Sequence, residues 1–115
     1  MKKFALFVFN GDPMCFIHVL LNALDMKAKG HDPKIIMEGA SVKLIPLLIK
    51  KNNPLNKLWE KVLEQNLLEG VCKACSNKLG TLEDAQKQGL PLLGDMSGHP
   101  AMSGYMESNF EIITF

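Results

Sequence analysis

The sequence EGVCKACSNKLG, at residues 69–80, joins the end of a short apolar segment to two cysteines and then to a helical pattern. A strand that leads directly into a helix is the repeating unit of parallel α/β sheets. Cys72 and Cys75 are separated by two residues, one of which is Lys73. We predict that a strand at 67–72 ends at this thiol pair and that a helix begins near Ser76.

Cys75 is the predicted reactive thiol of this stretch. A cysteine acts as nucleophile or metal ligand only as the thiolate, and its pKa falls beside a cation or a helix N-terminus. We expect both for Cys75, because Lys73 is close and the first N–H groups of the helix near Ser76 have no partner within the helix. Many free cysteines are simply packing residues, so the spacing alone leaves a structural role open.

Outward from this stretch, apolar segments alternate with helical patterns along the whole chain. Strands are predicted at 3–9, 34–39, 67–72, 89–93 and 110–115. Helices are predicted at 14–29, 42–50, 55–66 and 101–108, with another from Ser76 that is interrupted at Gly80. Asp12 and Ser41 are predicted N-caps, and Thr81 begins a near capping box. The alternation predicts one domain, 1–115, with a parallel sheet covered on both faces.

Size and charge exclude several functional classes. The chain has 115 residues and a net charge of +1, so no charge excess favours nucleic acid or an anionic membrane. Its apolar runs are too short to span a bilayer. Neither glycine-rich nucleotide-binding fingerprint occurs, and no cofactor is predicted. Three cysteines with a CxxC pair indicate sulfur, redox or metal chemistry in a cytoplasmic protein.

The loops that follow the strands should bring the polar candidates together. In open α/β sheets, sites form outside the carboxyl ends of the strands. The loops in question are 10–15, 39–41, 72–76 and 95–100. The predicted substrate-binding residues beside Cys75 are Asn10, Gly11, Asp12, Cys15, Ser76 and His99.

Three chemistries compete for this predicted site. In the first, Cys75 accepts sulfane sulfur as a persulfide and passes it on. In the second, Cys72, Cys75, Cys15 and His99 bind zinc, but a single CxxC is only half of the usual zinc signature, and no metal is predicted. In the third, Cys72 and Cys75 form a redox pair without the aromatic and proline-rich surroundings typical of thioredoxin. A non-enzymatic interaction subunit with structural cysteines also remains open.

Three groups of residues resemble the DsrE/DsrF-like family, which includes sulfur-relay subunits. They are Lys3–Phe9 with Asn10-Gly11; GVCKAC at 70–75; and GLPLL at 89–93, GHP at 98–100 and FEIITF at 110–115. The resemblance implies a five-stranded, mostly parallel sheet in a three-layer α/β/α sandwich, and homo-oligomers (trimers or hexamers). In relay members it also implies a persulfide cysteine after the third strand. Cys75 matches that position, with Cys72 and Lys73 as accessory residues and sulfur donor and acceptor proteins as partners.

Overall fold

The apolar segments of the sequence form strands, and the amphipathic segments between them form helices. The computed structural model describes residues 1–115. The strands are β1 Lys3–Val8, β2 Asp32–Met37, β3 Leu68–Cys72, β4 Leu92–Leu93 and β5 Glu111–Thr114. The helices are α1 Pro13–Ala28, α2 Ile45–Leu48, α3 Asn56–Glu64, α4 Lys73–Lys78, α5 Leu82–Lys87 and α6 Met102–Glu107, with a 3-10 helix at Gly39–Leu44. None of these helices has the length and apolar character needed to cross a membrane.

All five strands form one parallel sheet in the order β4-β3-β2-β1-β5. β1 lies between β2 and β5, and in its pairing with β2 Lys3 is opposite Asp32 and Val8 is opposite Met37. The carboxyl ends of β1, β2 and β3 therefore lie along one edge of the sheet. The predicted α/β class and the parallel five-stranded sheet are confirmed. Pro91 precedes β4 at the sheet edge, where a residue without a backbone N–H is tolerated.

The two faces of the sheet are covered very unequally. The connections from β1 to β2, β3 and β4 run in one direction along the sheet, and the connection from β4 to β5 runs back in the other. Because such connections are right-handed, the helices of the first three and the helix of the last lie on opposite faces of the sheet. The larger face holds a core of 20 buried residues that includes Phe16, Trp59 and Ala85 from α1, α3 and α5. The other face buries only Ala5, Phe7 and Ile36, which pack against residues of α6. The sheet is thus the middle of three layers, and one outer layer is thin.

Two predicted helix starts are wrong. α4 begins at Lys73 rather than near Ser76, because the Cys72 sulfur accepts the N–H of Cys75 and takes the place of an N-cap oxygen. Ser41 caps no helix: its hydroxyl donates to the carbonyls of Val8 and Glu38, and the chain continues as a 3-10 helix.

Of the other two predicted caps, Asp12 caps its helix and Thr81 does not. Asp12 is the N-cap of α1, where its Oδ1 accepts the N–H of Met14 at 2.8 Å, as predicted. Thr81 precedes α5 but makes no side-chain capping bond, and its buried Oγ1 has no hydrogen-bond partner. The predicted capping box at Thr81 is therefore wrong, whereas the first strand-to-helix loop has the expected form.

Candidate functional site

Four side chains meet where β2, β3 and the loop after β4 come together. They are Glu38, Cys72, Cys75 and His99, and one oxygen, sulfur or nitrogen atom from each lies within 4.8 Å of all the others. We call these four residues the strand-end cluster. Parallel strands bring their carboxyl ends to one edge of the sheet, so residues distant in sequence converge there.

Cys72 forms the buried side of the strand-end cluster. Its side chain is fully buried, and its sulfur lies 3.1 Å from Nδ1 of His99 and accepts the N–H of Cys75. Burial raises the pKa of Cys72 to about 12, and the neighbouring Cys75 and Glu38 side chains act in the same direction. At neutral pH Cys72 is therefore a protonated thiol, which is a poor nucleophile.

Cys75 forms the accessible side of the same cluster. Its side chain is only partly buried, and its sulfur accepts the backbone N–H of Gly39 at 3.3 Å. The sulfur also lies 3.7 Å from Nδ1 of His99. Gly39 has a φ of +56°, a backbone conformation that L side chains rarely adopt. The loop after β2 therefore supplies a backbone hydrogen-bond donor to the Cys75 sulfur.

Glu38 was not among the predicted site residues. It directly follows the apolar end of β2, its backbone N–H donates to Val8, and its side chain is only 9% exposed. No group of the protein donates a hydrogen bond to its carboxylate, and Nδ1 of His99 lies 3.9 Å from Oε1. Burial raises the pKa of Glu38, and His99 partly opposes this shift. An acidic residue at the carboxyl end of an apolar strand is the sequence signal that could have found it.

A tight turn holds His99 in place. The backbone groups of Met96 and His99 bond each other in both directions, at 2.7 and 2.9 Å, and the carbonyl of Gly98 accepts the N–H of Ala74. Gly98 has a φ of +90°, and a Cβ placed there would lie 3.1 Å from that of Ala74. The loop after β4 is thus fixed directly to α4, which carries Cys75.

A pocket of about 370 Å³ lies beside the strand-end cluster. Glu38 is the one member of the cluster that lines it. The other lining residues are Phe9, Met96, Pro100, Met102 and Ser103. The buried carboxylate therefore connects the cluster to a mainly apolar opening.

The structure brings together only some of the predicted site residues. Cys72, Cys75 and His99 meet, whereas Cys15 is exposed and outside the strand-end cluster, with Asn10 donating to its sulfur at 3.5 Å. Lys73 is exposed and takes part in no ion pair or side-chain hydrogen bond.

The remaining predicted residues have local roles. The Ser76 hydroxyl is buried and donates to the carbonyl of Cys72 at 2.7 Å, which ties α4 to β3. Asp12 caps α1, and Gly11 approaches the backbone of Ala40 so closely that a Cβ would lie 2.7 Å from its carbonyl oxygen. The loop after β1 therefore packs beside the loop after β2 without contributing to the cluster.

Comparisons with known proteins support the fold and identify relatives. No family model matches the sequence. The structure of a conserved protein of unknown function, BT1422 from Bacteroides thetaiotaomicron, superposes with a TM-score of 0.72 over 98% of this chain and 95% of that one, at 18% identity. An uncharacterized protein of Archaeoglobus fulgidus is 36% identical over 59 residues, which are 51% of this chain and 95% of that protein.

A longer match comes from another archaeon. The uncharacterized protein MJ0733 of Methanocaldococcus jannaschii is 35% identical over 97 residues, which cover 84% of this chain and 77% of that protein. This degree of identity extends across most of both sequences. The chain therefore belongs to the same family as the MJ0733 protein.

Proposed function

We propose that this protein is a sulfur carrier of the sulfurtransferase type, in which Cys75 accepts sulfane sulfur as a persulfide and passes it to a partner. The sequence resemblance to the sulfur-relay members of the DsrE/DsrF-like family supports this proposal. So does the position of Cys75 after the third strand, in the strand-end cluster, of which Glu38 lines a pocket.

The observation that carries the proposal is the asymmetry of the two thiols. Cys72 is fully buried and has a pKa raised to about 12, whereas Cys75 is partly exposed and accepts the N–H of Gly39. A nucleophilic thiolate must be both deprotonated and reachable by its reaction partner. Cys75 is therefore the acceptor, and Cys72 supports it by accepting its backbone N–H.

The transfer needs no oxidant, because both steps are exchanges at sulfur. The Cys75 thiolate attacks the outer sulfur of a persulfide or polysulfide donor. A new S–S bond forms on Cys75, the donor S–S bond breaks, and the donor leaves as a thiolate that takes up a proton. An acceptor thiolate then attacks the outer sulfur of Cys75, and the Cys75 thiolate is released.

We also propose that the protein is a homo-oligomer that works in the cytoplasm. The thin face of the sheet supports self-association, because its core cluster has only three buried apolar residues, and Met106 on α6 is 63% exposed. Free thiols that exchange sulfur persist best in a reducing compartment, and all three cysteines are free. Native mass spectrometry of the full chain tests the oligomer: trimers or hexamers are expected, and a monomer alone would contradict this part of the proposal.

Intact-mass spectrometry tests the carrier role directly. The reduced, metal-free full chain is incubated with inorganic polysulfide in the presence of a chelator. The excess is removed, and the mass is measured before and after treatment with a reductant. We expect the wild type to gain one sulfur atom that the reductant removes. The Cys75→Ala variant should lose this gain, because Cys72 is buried and Cys15 lies outside the strand-end cluster.

Cys15→Ala is the matched control, since it removes an exposed thiol that is not part of the strand-end cluster. It should load sulfur to the same extent as the wild type. Equal loading of Cys75→Ala and the wild type would overturn the carrier role. If neither loads and Cys75 also resists alkylation under native conditions, the protein is an interaction subunit with structural cysteines.

A further inference from the structure

We propose that the strand-end cluster is a tetrahedral zinc site whose four ligands are Glu38, Cys72, Cys75 and His99. The site differs from the zinc set that the sequence suggested, because Glu38 takes the place of Cys15. It does not depend on the sulfur-carrier proposal, since it rests on the positions of the four side chains.

The distances within the strand-end cluster are close to those of a tetrahedron around zinc. Typical zinc bonds to sulfur, nitrogen and oxygen put neighbouring ligand atoms about 3.4–3.8 Å apart. Nδ1 of His99 lies 3.1 Å from the sulfur of Cys72 and 3.7 Å from that of Cys75. It lies 3.9 Å from Oε1 of Glu38. The other three separations, between the two sulfurs and from each sulfur to the Glu38 carboxylate, are at most 4.8 Å. Shifts of up to about an ångström would bring the four atoms to bonding distance from one ion.

The Glu38 carboxylate is the independent observation that indicates a cation. Its side chain is only 9% exposed, it receives no hydrogen bond from the protein, and it faces the two sulfurs and the imidazole. Buried carboxylates are normally paired with a cation, hydrogen-bonded or bound to a metal. A divalent ion at the centre of the cluster would provide the positive charge that a buried carboxylate needs.

The set of donor atoms favours zinc over other common ions. Two thiolates and one imidazole are poor ligands for magnesium and calcium, which prefer oxygen, and a tetrahedral arrangement with sulfur and nitrogen is typical of zinc. The backbone already orients the sulfurs: Cys75 donates its N–H to Cys72, and Gly39 donates its N–H to Cys75. Such outer contacts hold ligands in the geometry that the metal needs.

Zinc and persulfide would exclude each other at this site. A zinc ion bonded to the Cys75 sulfur occupies the electron pair with which a thiolate attacks sulfane sulfur. The metal-bound protein would then be a resting form of the carrier. Failure of the zinc proposal leaves the carrier proposal untouched, because the intact-mass experiment is carried out with a chelator and without metal.

Cobalt substitution tests the site in the full-length protein. The reduced, metal-free chain is titrated with Co²⁺ while the absorption spectrum is recorded, and Zn²⁺ is then added. We expect one Co²⁺ per chain, with sulfur-to-cobalt charge transfer and the intense visible bands of tetrahedral cobalt, all removed by Zn²⁺. Binding should release one proton for each thiol that becomes a ligand, which a pH indicator measures.

Single substitutions identify the ligands. Cys72→Ser and His99→Gln should each weaken Co²⁺ binding by more than about tenfold. Glu38→Gln should weaken it and shift the visible bands, because the amide is a poorer ligand than the carboxylate. The controls are Cys15→Ser and His31→Gln, which remove the same residue types outside the strand-end cluster and should leave binding unchanged.

Three results would overturn the proposal. They are a spectrum without sulfur-to-cobalt charge transfer, affinity in His99→Gln equal to that of the wild type, or equal losses in Cys15→Ser and Cys72→Ser. Circular dichroism of each variant shows whether it is folded. If Cys72→Ser fails to fold, His99→Gln and Glu38→Gln decide the outcome, because both residues are less central to the core.

Discussion

Two regions at the same edge of the sheet each contain a cysteine, but they use their polar groups in different ways. In the loop after β1, Asn10 contacts both Asp12 and Cys15, and all these contacts join residues within five positions of each other. In the strand-end cluster, the contacts of Cys75 and Cys72 with Gly39 and His99 join residues 24 to 36 positions apart.

The difference shows what a shared sheet edge does and does not provide. Topology brings both regions to the carboxyl ends of the strands, yet only one of them combines several reactive groups. The polar groups of the loop after β1 are used to begin α1, since the Asp12 carboxylate caps the helix. The strand-end cluster keeps a buried carboxylate without a hydrogen-bond donor and a thiol that is partly open to solvent. These groups remain available for a ligand.

The largest expected effect is a difference in alkylation between the cysteines. With iodoacetamide at pH 8 and a chelator present, Cys15 and Cys75 should be modified, while Cys72 should react at least about a hundredfold more slowly because it is released only when the structure opens. Peptide mapping of the alkylated chain measures the three rates separately. In concentrated urea all three rates should become similar. Native modification of Cys72 at the rate of Cys15 would break the proposed contrast between the thiols.

The next effect separates strain in the backbone from damage to the strand-end cluster. Gly98→Ala and Gly30→Ala both place a Cβ at a positive φ, of 90° and 85°, so each should lower the free energy of unfolding by about 1–2 kcal/mol. Only at Gly98 would the Cβ also press against Ala74, whereas Gly30 has no atom within 4 Å. Urea unfolding measures the shared loss of stability.

The rate of Cys75 alkylation then distinguishes the two glycine variants. Gly98→Ala should change this rate, because its Cβ would push α4 away from the loop that carries His99. Gly30→Ala should leave the rate as it is in the wild type. The same rate in both variants would mean that the turn at Gly98 does not position the cluster.

A smaller loss of stability is expected from the loop after β1. Asp12→Ala removes the side chain that accepts the N–H of Met14, and it should lower the free energy of unfolding by about 1 kcal/mol. Urea unfolding measures this change, and sulfur loading of Cys75 should stay the same. A loss of sulfur loading in a folded Asp12→Ala variant would mean that the two regions act together.

The smallest effect concerns the Glu38 carboxylate and has a defined pH dependence. Its pKa is raised above the ordinary value of 4.5 by burial, so the folded chain holds this proton more tightly than the unfolded chain. The resulting stability is fully present below pH 4.5 and is lost as the pH rises through the folded-state pKa. Glu38→Gln should lack this pH dependence. Urea unfolding of the wild type and of Glu38→Gln, with chelator and at a series of pH values, measures the difference. If the free energy of unfolding changes with pH in the same way in both proteins, the raised pKa of Glu38 is contradicted.

The fold was predictable because its signals are local. Each strand contains apolar residues, and the turns are marked by residues such as Asp12 and Gly80, so the alternation of strands and helices was visible in the sequence. The wrong details also had physical causes. A thiol acts as the cap of α4, and the Ser41 hydroxyl bonds to carbonyls inside the fold rather than to a helix N-terminus.

The site was only partly predictable, because its contacts are between distant residues. The CxxC spacing indicated Cys72 and Cys75, and the order of the strands indicated that His99 would follow at the same edge. Glu38 was missed because a single acidic residue after a strand is usually solvated, and only the three-dimensional structure shows that its side chain is buried. Cys15 is not one of the four clustered residues, and the sequence does not show where within an edge each loop points.

The most direct test of the account determines which cysteine carries sulfur when all three are present. The wild-type chain is incubated with polysulfide under native conditions, its thiols and persulfides are alkylated, and the peptides are analysed by mass spectrometry. We expect the extra sulfur on Cys75, with Cys15 alkylated without it. Sulfur on Cys15 in an amount equal to or greater than on Cys75 would contradict the account.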